Sequence, residues 1–132
     1  MTGVLKSQVS IEFMSFVLIL ILILFVVVSN TSILTSNIIN ERRYSEGKKL
    51  ADAIASEINI AIKAGDGYSR KFFINDNIFG VTNFLIIVGN YTVIVDWGSS
   101  FASSPTLVKS VQGNFSKGWN IIKNSNGVIY VS

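Results

Sequence analysis

Few residues in this chain are equipped for chemistry. Its 132 residues include no Cys and no His. A thiolate–imidazole pair, a Ser–His pair and a Cys/His zinc set are therefore all out of reach, and no disulfide framework can form. Asp66, Asp76 and Asp96 are scattered. Gly65-Asp66-Gly67 lacks the series of oxygen ligands that a calcium loop requires, and reads as a helix stop and turn. Asp96-Trp97-Gly98 closes a strand-like run and reads as a turn. No phosphate-cradling glycine pattern is present. The sequence nominates no catalytic residue, no metal ligand and no cofactor. Two kinds of residue remain. One is Glu12, which stands at the mouth of a long apolar run. The other is the set of triplets that begin at Asn30, Asn90 and Asn114. Each matches the N-glycosylation acceptor pattern of exported chains, which also arises by chance in a chain rich in Asn, Ser and Thr. Asn30 is the least suited, because it leaves the apolar run inside a helix.

Glu12 has meaning only through the element that carries it. No charged residue occurs between Glu12 and Glu41, and residues 13–29 are almost all apolar. A hydrocarbon core needs about 20 apolar residues as helix, and Val9, Ile11 and the neutral stretch after Ser29 bring the run to that length. A secretory signal peptide is shorter and ends in a small-residue cut, which is missing here. The run therefore predicts a retained membrane helix over about residues 9–30. A helical pattern resumes after the Ser/Thr/Asn patch at 29–37. Leu50, Ile54, Ile58 and Ile62 recur every four residues with Ala51, Ala55 and Ala61 beside them, which marks one buried face. Gly47 and the polar patch favour a kink or local melting. A continuous helix over 8–64 would be a rod of roughly 85 Å.

After Gly67 the period changes to short β-rich runs, "YSRKFFI", "FLIIV", "YTVIVDW", "TLVKSV", "WNII" and "VIYV". Gly89-Asn90 and Asn126-Gly127 supply two tight turns. No helical segment separates the strands, so the sheet should be antiparallel. The expected fold is α+β: a long N-terminal hydrophobic helix packed at its C-terminal half on a small antiparallel β-sheet. Trp97, Trp119 and Tyr130 are expected in the sheet core or a subunit contact. Eleven basic and eight acidic residues give a net charge of +3. The basic residues occur singly or as pairs, without the runs of a nucleic-acid tail, so no nucleic acid is expected as partner.

The stretch Lys6-Ser7-Gln8-Val9-Ser10-Ile11-Glu12-Phe13 reads Q-x-S-x-E-F after a Lys and a small residue. It resembles the class III signal peptide of archaeal type IV pilin-like proteins. In that family a prepilin peptidase cuts on the cytoplasmic side, before the Gln, and the hydrophobic helix is retained. The resemblance implies a processing site at Lys6, Ser7 and Gln8, with the cut between Ser7 and Gln8. It implies a leader over 1–7, a long helix over 8–65 and an extracellular β domain over 66–132. The mature chain would begin at Gln8 and place Glu12 fifth, and Gln8, Glu12 and Phe13 would serve subunit assembly. The new α-amino group would pair with Glu12 of a neighbouring copy, offsetting the cost of burying either charge alone.

The resemblance further implies a surface filament with a role in adhesion or attachment and no catalysis. Its partners would be other pilin subunits, the prepilin peptidase and a membrane assembly platform. The chain would first span the membrane once, N-in and C-out, and then join the extracellular filament. Two other readings stay open: a minor pilin that primes or caps a filament or a secretion-like apparatus, and a single-pass anchored binding module that never polymerises. The positive-inside rule does not help, since Arg42, Arg43, Lys48 and Lys49 lie beyond the apolar run, interspersed with Glu41 and Glu46.

Overall fold

The computed structural model describes the backbone of residues 2–132 and the side chains of residues 10–31 and 35–132. One helix, α1 (Thr2–Ala64), is followed by six strands: β1 (Ser69–Ile74), β2 (Leu85–Gly89), β3 (Thr92–Asp96), β4 (Phe101–Pro105), β5 (Gly118–Ser125) and β6 (Val128–Val131). The fold class is α+β, as expected, but the strands form two sheets rather than one. One has the order β1-β5-β6 and the other β2-β3-β4, and all pairings are antiparallel. The second sheet is thus inserted between β1 and β5 of the first. The chain divides into two compact units, Met1–Ile39 and Asn40–Ser132.

The unit Asn40–Ser132 contains every buried side chain among the described residues. It carries a core of its own. The stripe read from the sequence is the buried face of α1: Ala51, Ile54, Ala55, Ile58 and Ala61 are sealed, while Leu50 and Ile62 flank them. Inward positions alternate along the strands, as the pleat requires. They are Val93 and Val95 on β3, Ala102 on β4, Ile122 on β5, and Ile129 and Val131 on β6. Each fully buried Ile contributes about 1.5–3 kcal/mol relative to exposure.

Gly47 lies in the continuous helix α1, where it allows close packing. A Cβ at this position would stand 2.4 Å from Cζ3 of Trp97. Only a glycine lets the helix backbone reach the Trp97 ring, which seals one end of the core at 9% exposure. The helix ends where the glycines predict. Gly65 takes φ 85 and donates its N–H to the Ile62 carbonyl, and the left-handed glycine closes the last turn. The Ala61 carbonyl, left over at the helix end, accepts a 2.8 Å bond from Asn124 Nδ2 of β5.

The strand predictions need three corrections. "TLVKSV" is not a strand: residues 106–111 form a loop with one isolated bridge, Gly89 to Ser110. The Thr106 hydroxyl accepts the Val108 N–H at 3.0 Å and turns the chain locally, competing with ladder bonds. β4, "FASSP", carried no strand signal because Ala, Ser and Pro are poor strand formers. Its place is set by pairing with β3, from Thr92 opposite Pro105 to Asp96 opposite Phe101. The first hairpin exists, but its turn residues are Asn90 and Tyr91, one step later than expected. Both have positive φ, at 51° and 62°, and Gly89 pairs with Thr92 inside the ladder. The Asn126-Gly127 turn forms as read, with φ of 52° and 81°.

Candidate assembly segment

Glu12 and Phe13 lie on an exposed part of α1, and the described apolar side chains around them are exposed too. Apart from the half-buried Val17, every large apolar side chain from Ile11 to Val28 is 51–70% exposed. The exposure runs right round the helix, because these residues are consecutive. This segment's most apolar stretch has a mean hydropathy of 3.1, and none of it is buried. α1 is long and apolar enough to cross a membrane.

Four polar side chains in and just after the segment bond back to the helix. Ser15 donates to the Ile11 carbonyl at 2.9 Å, Asn30 Nδ2 to Val26 at 2.9 Å, Thr31 to Val27 at 2.8 Å and Thr35 to Thr31 at 2.9 Å. Each bond reaches back one turn, so the helix presents few unmet donors to its surroundings. Such satisfaction is what hydrocarbon requires of a hydroxyl or amide. Glu12, directly before the apolar run, is a carboxylate with no hydrogen-bond or ion-pair partner among the described residues. The side chains of Lys6, Ser7 and Gln8 lie outside the described residues.

The three acceptor triplets are placed very differently. Asn90 occupies the exposed apex of the β2–β3 hairpin. Asn114 is exposed in the loop before β5, between Gly113 and the buried Phe115. The backbone of Ser116, the third residue of that triplet, is clamped by Asn120, which accepts its N–H at 2.8 Å and donates to its carbonyl at 2.7 Å. Asn30 lies within α1, and its Nδ2, the atom a glycan would occupy, is already bonded to Val26.

The chain matches no family model, no curated protein and no solved structure.

The scattered aspartates have local tasks. Asp66 Oδ1 accepts the Asn126 N–H at 2.8 Å and ties the helix stop to the β5–β6 turn. Asp96 Oδ1 accepts the Gly98 N–H at 2.7 Å, which is the turn chemistry read from the sequence. Asp52 meets Lys48 Nζ at 2.7 Å. That bond, with a second from the buried Ser104 hydroxyl, holds its carboxyl below the usual aspartate value. Lys48 also donates to the Ser103 carbonyl at 2.8 Å, so the pair anchors α1 to β4.

The aromatics divide. Trp97 is in the core, whereas Trp119 is 62% and Tyr130 is 47% exposed. On β5 the inward positions are Asn120, Ile122 and Asn124, and the outward ones are Trp119, Ile121 and Lys123. Hydrophobicity alone points Trp119 inward. The two buried asparagines reverse the pattern, because each is paid for by backbone hydrogen bonds.

Proposed function

We propose that this chain is a structural subunit of a type IV pilus-like surface filament and assembles through the N-terminal part of α1. The observation that carries this reading is the all-round apolar exposure of residues 11–28, led by Glu12, which has no partner among the described residues. A helix of this kind needs lipid or copies of itself around it. The chain would wait as a single-pass membrane protein, N-in and C-out. It would then pass its helix from lipid into a bundle of neighbouring helices and present its β domain outside. The Q-x-S-x-E-F spacing before the apolar run supports processing by a prepilin peptidase between Ser7 and Gln8. In the bundle the freed amine of Gln8 offers Glu12 of a neighbour a charged partner. The work is mechanical, and adhesion or attachment falls to the β domain. Asn90 and Asn114 are exposed where glycans could be carried without disturbing the core.

The test is N-terminal sequencing and intact mass of the protein from native membranes and from sheared surface fibres. The expected result is a chain that starts at Gln8 and is recovered in the fibres. Excess mass mapped to Asn90 or Asn114 would report glycans. A chain that keeps its leader and stays in the membrane would defeat the filament reading and favour an anchored module.

A further inference from the structure

The outer face of the β1-β5-β6 sheet is unusual for a solvated surface. Phe73 and Trp119 are directly opposite one another in the β1–β5 register and meet edge to face, with centroids 5.3 Å apart. They remain 58% and 62% exposed. Lys71 Nζ stands 4.8 Å from the centroid of the Trp119 ring. Further along the same face, Lys123 is paired with Tyr130 of β6. The outward positions on these strands carry no carboxylate. Neither Lys71 nor Lys123 joins the ion pairs seen among the described residues. The face is therefore a row of exposed rings with uncompensated positive charge between them.

We infer that this face is a docking surface for an acidic polysaccharide, whose sugar rings lie against Trp119 and Tyr130 while its carboxylates or sulfates meet Lys71 and Lys123. Charge selects the class. An aromatic surface takes the apolar face of a flat ring, and the lysines demand that the ring carry anions. A second copy of this chain offers no cluster of three or more carboxylates among the described residues. Glu46, Asp52 and Glu57 are paired with Lys49, Lys48 and Arg70, which leaves the β-domain unit only scattered carboxylates, Glu41, Asp66, Asp76 and Asp96. Nucleic acid fits less well, because tight binding there comes from many phosphate contacts and two lysines supply few. Trp119 and Lys123 are four residues apart on β5, about 13 Å at ordinary strand rise, so the ligand must be an extended chain of several sugars rather than one. The inference rests on the sheet face alone and holds whether or not the chain polymerises.

The test uses the unit Asn40–Ser132, which carries its own core, immobilised for binding measurements. The probes are polygalacturonate, neutral dextran, oligo-dT and phosphatidylglycerol vesicles. Binding to polygalacturonate, weakened by salt and without retention of dextran, is expected. Trp119→Ala should weaken it about tenfold and Lys71→Gln a few-fold, while Tyr91→Ala at the hairpin apex leaves it unchanged. Both test residues are exposed, so unaltered circular dichroism should accompany the loss. No binding to polygalacturonate, equal binding to dextran, full binding by both variants, or stronger binding to oligo-dT or vesicles would each overturn the inference.

Discussion

Replacing Gly47 by Ala should destabilise the β-domain unit, although Ala is the better helix former. The added Cβ would sit 2.4 Å from Cζ3 and 2.9 Å from Cη2 of Trp97. Ordinary carbon–carbon contact is about 3.5–4.0 Å, so helix and ring must separate by roughly 1 Å. Overpacking of this kind costs about 1–3 kcal/mol. The gain in helix propensity is about 1 kcal/mol and acts in the opposite direction. The Trp97 ring is enclosed, and its backbone N–H is held by the Ser100 carbonyl at 3.1 Å, so little relaxation is available. With little relaxation the overpacking cost falls in the upper part of its range, about 2–3 kcal/mol, so the net loss is about 1–2 kcal/mol, or roughly 5–15 °C in the melting temperature of a unit this size. Thermal unfolding of Asn40–Ser132 followed by circular dichroism measures it. The Trp97→Leu background isolates the cause: without the large ring, Gly47→Ala should be neutral or stabilising, a coupling that a double-mutant cycle reads directly. An equal loss in both backgrounds, or a higher melting temperature in the parent, would refute the steric account.

Three further outcomes follow from the same core. Gly113→Ala should abolish cooperative unfolding or lower the melting temperature more than Gly47→Ala does. Its Cβ would lie 2.0 Å from the Val131 carbonyl oxygen at a φ of 97°, and backbone cannot yield as a ring can. Asn124→Ala should cost about 2–4 kcal/mol in urea denaturation, since it strands both the Ala61 carbonyl and the Gly127 N–H. Asp52 makes a smaller, pH-dependent contribution. Its carboxyl is held below 3.8, chiefly by Lys48, so its stabilisation is complete above that value and is lost as the pH falls through the lower folded-state value. The side chain is half exposed, so about 0.2–1 kcal/mol is at stake. Asp52→Asn should flatten the acid limb of the stability curve by that amount and no more.

How far the fold could be read in advance varied with the kind of interaction that decides each element. The α1 stripe was plain because Leu50, Ile54, Ile58 and Ile62 share a face by periodicity alone. The Asn126-Gly127 turn was plain because two adjacent positive φ values suit that pair. β4 was hidden, since a partner strand rather than its own composition makes "FASSP" extended. The loop at 106–111 looks like a strand in the sequence, but one hydroxyl–backbone bond at Thr106 turns it locally against its β-branched propensity. Gly47 looked like a weakness, and its reason for being glycine is a ring 50 residues further along the chain. The candidate assembly segment was legible as a membrane-length run with Glu12 before it. The Lys71–Trp119 face was not, because buried Asn120 and Asn124 invert the usual meaning of alternation on β5.

Magnitudes also separate the two tasks that Glu12 could influence. The Val, Leu, Ile and Phe side chains between residues 13 and 28 favour the bilayer by about 0.3–0.6 kcal/mol each, roughly 4–8 kcal/mol together. A carboxylate costs about 2.5–3.5 kcal/mol at the centre of a membrane helix and less near its end. Insertion therefore wins with either Glu or Gln at position 12, and Glu12→Gln should leave the amount of membrane-inserted protein unchanged. Assembly is different under the filament reading. A helix that leaves lipid for a bundle carries its terminal amine into apolar surroundings, and a partner-less buried charge costs about 3–5 kcal/mol. Glu12→Gln removes the partner, so incorporation into sheared fibres should fall at least tenfold while the membrane pool stays constant or grows. Quantitative immunoblotting of both fractions measures the ratio. Equal loss from both pools would mean that Glu12 serves insertion or stability, and an unchanged ratio would mean that the pairing plays no part in assembly.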